Sequence, residues 1–250
     1  MPENAIYKIE KNDNIARDVY KMLLAGPTGA LTRPGQFVNI QLDGRFLRRP
    51  ISVCSHDAET ITLIYKVVGE GTAQMAEMRP GQALDLLVGL GNGFDVAPMR
   101  GRQVLLAGGG VGTPPLYGLA QALLADGQPA PQVALGFASA PDVFYQAEFE
   151  ALGCAVYIAT NDGSLGIGGF VTAPMAELDF DYYAACGPMG MLRAIYGSCE
   201  ARCVPGQLSF EERMGCGFGA CMGCSCHTKT GSKRVCVEGP VFQSREVVFE

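Results

Sequence analysis

Residues 103–115, QVLLAGGGVGTPP, place an apolar run, a glycine run and two prolines in immediate succession. The apolar run predicts a buried strand and the glycines a tight turn. Thr113, Pro114 and Pro115 open a helix, where proline is tolerated because first-turn N–H groups have no intrahelical partner. Apolar residues at 116, 119, 120, 123 and 124 continue that helix, and QVALGF (132–137) supplies the next strand. CAVYIAT (154–160) and YYAAC (182–186) extend the series. Strands alternating with helices predict a parallel sheet with covering helices over 101–205. A glycine turn between strand and helix lets a dinucleotide diphosphate approach the backbone, so Gly110, Gly112, Thr113 and Pro114 are candidate nicotinamide-nucleotide contacts. Proline replaces the third glycine of Gly-x-Gly-x-x-Gly, and an ordinary tight turn is the plainer alternative.

Upstream, residues 1–100 carry short strand-like runs, QFVNIQL (36–42), RRPISVCS (48–55), TITLIYKVV (60–68) and ALDLLVGL (83–90), with Pro-Gly pairs at 34–35 and 80–81. This pattern predicts a small antiparallel barrel. Within it, the Arg49 guanidinium suits a diphosphate, Pro50 stiffens the strand and Ser52 offers a hydroxyl. Ile64, Tyr65 and Lys66 lead through glycines to Gly71 and Thr72. There TAQMAEM predicts a helix capped by Thr72, with the N–H groups of Gly71 and Thr72 turned toward the same phosphates. A solvated strand end followed by a glycine turn is the alternative.

Downstream, residues 206–250 contain GCGFGACMGC (215–224), in which Cys216, Cys221 and Cys224 have the Cys-x₄-Cys-x₂-Cys spacing of a plant-type [2Fe-2S] centre. The interleaved glycines permit a tight curl whose N–H groups can point at sulfur. HTKTGSKRVCV predicts a hairpin around Gly231-Ser232 that returns Cys236 as the fourth ligand. Cys226 competes for that role. A four-cysteine zinc site is the rival metal, although such sites generally use paired short spacings.

The chain has 250 residues, net charge −6, ten cysteines, two histidines and no tryptophan. Its length accommodates two modest domains and an appendage. The opening MPENAIYKIE lacks the pattern of a secretion signal, and no apolar run has transmembrane length, so a cytoplasmic protein without a membrane span is expected. Mixed charge argues against a nucleic-acid partner. His56 and His227 lack a metal-like spacing, which leaves histidine-based hydrolysis little support.

The Arg49–Ser52 and Gly71-Thr72 pair resembles the FAD barrel of the ferredoxin-reductase superfamily, as does LGNGF (90–94). Ile51 departs from an aromatic frequent in that family, which puts stacking from this position in doubt. The resemblance extends to Cys186-Gly187-Pro188-Met189, where it places Cys186 at the meeting point of nicotinamide and flavin, and to Asp162-Gly163-Ser164 on the nucleotide side. GFASAPD (136–142) carries neither a basic cluster nor an acidic signature, leaving NAD and NADP both open.

The order of parts, with ERMGCGFGACMGCSCHT and VCVEGPVF at the end, is similar to the electron transfer subunits of dihydroorotate dehydrogenase B. That resemblance covers essentially the whole chain. It implies FAD in the barrel, NAD on the sheet and a [2Fe-2S] cluster on Cys216, Cys221, Cys224 and Cys236. The partner it implies is an FMN-containing catalytic subunit, in a heterotetramer of two plus two, serving pyrimidine biosynthesis. Electrons would pass from FMN through cluster and FAD to NAD⁺. Reductase subunits of a sulfide dehydrogenase, an NADH-dependent ferredoxin:NADP reductase or a soluble hydrogenase share these parts, and a non-catalytic zinc or redox-sensing protein is the alternative of another class.

Overall fold

The computed structural model describes residues 2–249, so the terminal residues 1 and 250 of the first and last predicted segments lie outside the described residues. The first hundred residues form β1 (Glu3–Ala16), β2 (Val19–Ala25), β3 (Phe37–Ile40), β4 (Arg49–His56), β5 (Thr60–Lys66), a short helix α1 (Glu70–Ala76) and β6 (Ala83–Leu90). The strands close antiparallel in the order β1-β2-β5-β4-β3-β6. The expected barrel is present. The four strand-like runs supply β3 to β6, whereas β1 and β2 were not anticipated. In β1 only Tyr7 and Ile9 are fully buried, and EKNDN is polar throughout, with Glu10, Lys11, Asp13 and Asn14 exposed, so its period-2 signal is weak.

Strand alternation divides the barrel's side chains between two cores. Val38, Ile40, Val53, Leu63 and Tyr65 fill the barrel, with Ile51 packed against them. Phe37, Cys54 and Ile64 instead point outward into cores shared with the second domain. Full burial of a side chain such as Phe37 or Ile64 contributes about 1.5–3 kcal/mol, so these outward residues bind barrel and sheet into one body.

The second domain contains β7 (Val104–Gly109), α2 (Thr113–Ala125), β8 (Gln132–Phe137), α3 (Gln146–Ala151), β9 (Ala155–Thr160), β10 (Ile167–Gly168), α4 (Thr172–Ala176), β11 (Tyr182–Cys186) and α5 (Met189–Ala201). After it come β12 (Gly206–Ser209), β13 (Ser225–Thr228), β14 (Gly231–Arg234) and β15 (Val241–Gln243). The sheet order is β10-β9-β8-β7-β11-β12-β15. All its pairings are parallel except that of β15 with β12. Order reverses between β7 and β11, which opens a crevice at the carboxyl ends of these strands, the usual ligand position in such sheets.

The sheet does not stop at the expected boundary of residue 205. Leu208 and Phe242 bury in the core that holds Leu105 and Tyr183, which makes β12 and β15 strands of the nicotinamide-type domain. The cysteine-rich segment is an excursion between them. Its hairpin turns at Lys229-Thr230, because Gly231 already pairs with Thr228 and Ser232 with His227. The expected turn at Gly231-Ser232 is therefore displaced by two residues. Thr228 fixes the corner through its hydroxyl, which donates to the Gly231 carbonyl at 2.7 Å.

Candidate active site

On β4, alternation places Pro50 and Ser52 on the outer barrel face and Ile51 inside it. Phe37, Pro50 and Ser52 line a cavity of about 360 Å³, together with Gly110, Gly112 and Cys186 from the sheet domain and Met214 and Val235 from the cysteine-rich segment. Three parts of the chain thus meet around one space. Ile51 belongs to the barrel core and cannot stack on a group in this cavity. The Ile64 side chain packs at the domain interface, and the buried Tyr65 hydroxyl donates to Asn12 Oδ1 at 2.9 Å. Of the Ile64-Tyr65-Lys66 run, only Lys66 places its side chain at the cavity wall.

Arg49 lies across Gly71, where an added Cβ would stand 2.8 Å from the guanidinium carbon. The absence of a side chain at Gly71 lets the arginine fork reach the start of α1. Thr72 does not cap that helix. Gly69 is the N-cap, and Thr72, the third helical residue, accepts N–H bonds from Val68 at 2.9 Å and Gly69 at 3.3 Å. Its hydroxyl closes the entrance loop in a capping-box arrangement, so that group is already committed. Arg49 and the opening turn of α1 retain the donors suited to a diphosphate.

A second cavity, of about 590 Å³, opens at the carboxyl ends of β7, β8 and β9 and shares Lys66, Gly109, Gly110, Val111 and Pro188 with the first. Two turns make the common wall. A methyl on Gly112 would collide with the Cys186 carbonyl and lie 2.7 Å from Gly187 Cα, and one on Gly109 would lie 3.1 Å from Pro188 Cδ. Thr113, at the start of α2, is fully buried with its Oγ1 unpaired and packs beside Gly108, behind the residues that line the two cavities. Pro114 is buried in the same first turn. Burial, offset by Ser209 and reinforced by Glu211, pushes the Cys186 thiol up to about 12, which favours the neutral thiol at pH 7. Desolvation and the adjacent Glu212 raise Glu211 above the ordinary carboxylate range at the same wall.

The remaining candidates sit differently. Met189 opens α5 and is partly exposed, whereas Met191 lines the larger cavity beside Gly109. Asp162 is exposed, and its Oδ1 accepts from the Ser164 hydroxyl at 2.6 Å and the Ser164 N–H at 3.0 Å. Those bonds hold its carboxyl below the usual range. Its neighbour Asn161 is the residue that lines the cavity. An acidic residue missed in the sequence, Asp142, also reaches this wall from the turn after β8. It is buried, accepts from Ser139 Oγ at 2.6 Å and lies 3.7 Å from both Lys66 and Arg17. Its position five residues beyond the strand concealed it.

In the cysteine-rich segment four N–H groups approach thiol sulfurs at 3.4 Å: Cys216 and Gly223 toward Cys221, Cys221 toward Cys216, and Cys236 toward Cys224. Positive φ at Gly217 (+80°) and Gly219 (+90°) creates the curl. Cys216 approaches Cys221, and Cys224 and Cys236 are buried side by side; no three ligating side chains are gathered on one point among the described residues, but four thiols with amides already facing sulfur have the chemistry a thiolate-bound cluster requires. Cys226 lies on β13 opposite Lys233 and packs against the sheet core.

Barrel, crevice and cysteine loop define a flavin and nicotinamide reductase with an iron–sulfur appendage. A solved structure of the NADH-dependent reduced ferredoxin-NADP oxidoreductase superposes with a TM-score of 0.86 at 29% identity, covering 98% of this chain and 90% of that one. The Amycolatopsis cytochrome P450 reductase GcoB shares the fold at a TM-score of 0.71 and 21% identity, over 80% of this chain and 66% of its own. A family model described as the iron-sulfur cluster binding domain of dihydroorotate dehydrogenase B matches residues 211–248. Proteins named dihydroorotate dehydrogenase B (NAD(+)), electron transfer subunit, are 44% identical in Shouchella clausii, over 96% of both chains, and 46% identical in Geobacillus thermodenitrificans, over 94% of this chain and 95% of the relative. The chain belongs to the family of dihydroorotate dehydrogenase B electron transfer subunits.

Proposed function

We propose that the chain accepts electrons from an FMN-containing catalytic partner that oxidises dihydroorotate, and delivers them to NAD⁺ by way of a [2Fe-2S] cluster and FAD. The observation that carries this reading is the 360 Å³ cavity walled by barrel, sheet and cysteine-rich segment together. A cluster exchanges single electrons, nicotinamide takes a hydride, and a flavin converts between the two.

Within that scheme the chain's own residues bind, orient and exclude water. Arg49 and the N–H groups at the start of α1 hold the FAD diphosphate, while Pro50 and Ser52 border its ring. Gly110, Gly112, Thr113 and Pro114 admit the nicotinamide nucleotide. Cys186, Gly187 and Pro188 close the wall where the two cavities join. As a neutral thiol, Cys186 shapes this contact without forming a covalent bond. Cys216, Cys221, Cys224 and Cys236 hold the cluster.

Phe218, Met222 and Val237 expose apolar side chains on or beside the cysteine loop, and Cys221 is exposed among them. This face suits docking of the catalytic partner, in a heterotetramer of two copies of each subunit. No helix among the described residues is long and apolar enough to cross a membrane, and no disulfide joins any of the ten cysteines, which leaves four for a cluster and suits the reducing cytoplasm. Anaerobic co-purification, followed by flavin, iron and sulfide analysis and a dihydroorotate-to-NAD⁺ assay, tests the proposal. Recovery of FMN protein and activity is expected. A partner carrying only iron–sulfur centres, without dihydroorotate oxidation, would favour a reductase of the ferredoxin:NADP type.

A further inference from the structure

Asn39 on β3 is fully buried, and neither its side-chain oxygen nor its nitrogen has a hydrogen-bond partner. Buried amides are nearly always paired, so two orphaned atoms on one side chain mark a place completed by a group the protein atoms do not supply. Its surroundings indicate which group. Asn39 is the cross-strand partner of Pro50, two residue pairs along from Phe37 and Ser52 and so on the same face, and Phe37, Pro50 and Ser52 wall the smaller cavity. On its other side the amide abuts the cysteine loop: a Cβ on Gly217 would lie 2.5 Å from Asn39 Nδ2 and 3.6 Å from Leu90 Cδ1. Gly217 directly follows Cys216. Arg48 Nη1 donates to the Asn39 carbonyl at 3.2 Å, which fixes the backbone and leaves the side chain uncommitted. Asn39 is thus a buried polar side chain beside the residues that wall the flavin cavity and against the glycine that follows the first cluster cysteine.

We propose that Asn39 is a positioning residue for the iron–sulfur centre, its amide N–H donating a hydrogen bond to sulfur at the Cys216–Gly217 edge and so stabilising the reduced form. This rests on Cys216, Cys221, Cys224 and Cys236 being the ligands. A donor to cluster sulfur raises the potential, because reduction adds negative charge that the N–H dipole stabilises.

The test uses the full chain, purified anaerobically, with Asn39→Leu, Asn39→Ala and Asn39→Ser. Leu approximates the volume without a donor. Ala and Ser are of similar size and differ in the donor. Iron and FAD content, the paramagnetic spectrum of the reduced cluster, and the separate potentials of cluster and flavin are measured. In Leu and Ala the cluster becomes harder to reduce by about tenfold in its one-electron equilibrium, ~59 mV, with altered g-values and an unchanged flavin potential. Ser moves back toward wild type. Loss of iron from Ala but not from Ser supports the same role. Unmoved cluster potential and g-values, equal effects of Ala and Ser, or a shift confined to the flavin overturn it. If Leu does not fold, the Ala and Ser comparison decides. A wild-type chain without iron overturns the ligand assignment as well, whereas iron in wild type with unmoved variants overturns Asn39 alone.

Discussion

Gly112 and Cys186 meet without room for a methyl group: a Cβ on the glycine would strike the Cys186 carbonyl oxygen. The glycine turn after β7 and the Cys-Gly-Pro turn after β11 therefore interlock at the point where the sheet order reverses. Gly112→Ala must push these turns apart. Overpacking of this kind costs about 1–3 kcal/mol. Lower thermal stability and loss of saturable NADH binding are expected, measured by calorimetry and by fluorescence titration; unchanged NADH affinity would remove this turn from the nucleotide site.

Arg49 and Gly71 form a similar pair in the barrel. Arg49→Lys retains the charge but loses the planar fork, and Gly71→Ala displaces the arginine. Each should weaken FAD binding by roughly 10- to 100-fold, about 1.4–2.7 kcal/mol, read by equilibrium dialysis. Arg48→Lys is the control, since Arg48 pairs with Asp85 at 2.8 Å away from the cavity. A flavin loss as large for Arg48 as for Arg49 would contradict the assignment.

The cysteine loop yields a sharper contrast. Cys236→Ser should abolish the paramagnetic signal of the reduced cluster and its iron content, because the Cys236 N–H and thiol lie against Cys224. Cys226→Ser should retain both, since Cys226 packs against the sheet core. The opposite result would reassign the fourth ligand.

Burial pushes the Cys54 thiol up to about 12 from an ordinary 9.0. With the folded value above the unfolded one, the neutral thiol's contribution is complete below pH 9 and is lost as pH rises toward 12. Cys54→Ala should therefore flatten the alkaline fall in stability, by up to about 1.4 kcal/mol per pH unit over that window. Urea unfolding at pH 8, 9, 10 and 11 measures the two slopes; parallel slopes would show that Cys54 titrates unperturbed.

Much of the architecture is legible locally. The strand–glycine–helix run at 103–115 gives the parallel sheet, and the cysteine spacing nominates three candidate ligands, because each is a short-range pattern whose chemistry depends on neighbours in sequence. Strand β1 escaped because its mostly polar outward residues mask the alternation, and β2 because its nearly continuous apolar run VYKMLLA shows none. Thr72 looked like a cap because threonine favours both the N-cap and the third helical position, and only the backbone distinguishes them.

By itself the sequence determined that barrel, nucleotide sheet and cysteine loop follow in that order, since turn chemistry, strand periodicity and ligand spacing are local properties of the chain. The tertiary structure decided which side chains share a wall. Ile51 faces the barrel core while Pro50 and Ser52 face the cavity, because alternation on a strand has two faces and only packing selects the buried one. Asp142 reaches the nucleotide cavity, Asn161 takes the place expected of Asp162, and Asn39 comes to lie against Gly217. Each of these contacts joins residues distant in sequence or on different elements, so it exists only after the barrel closes and the cysteine segment, which leaves the sheet after β12 and returns as β15, packs against it.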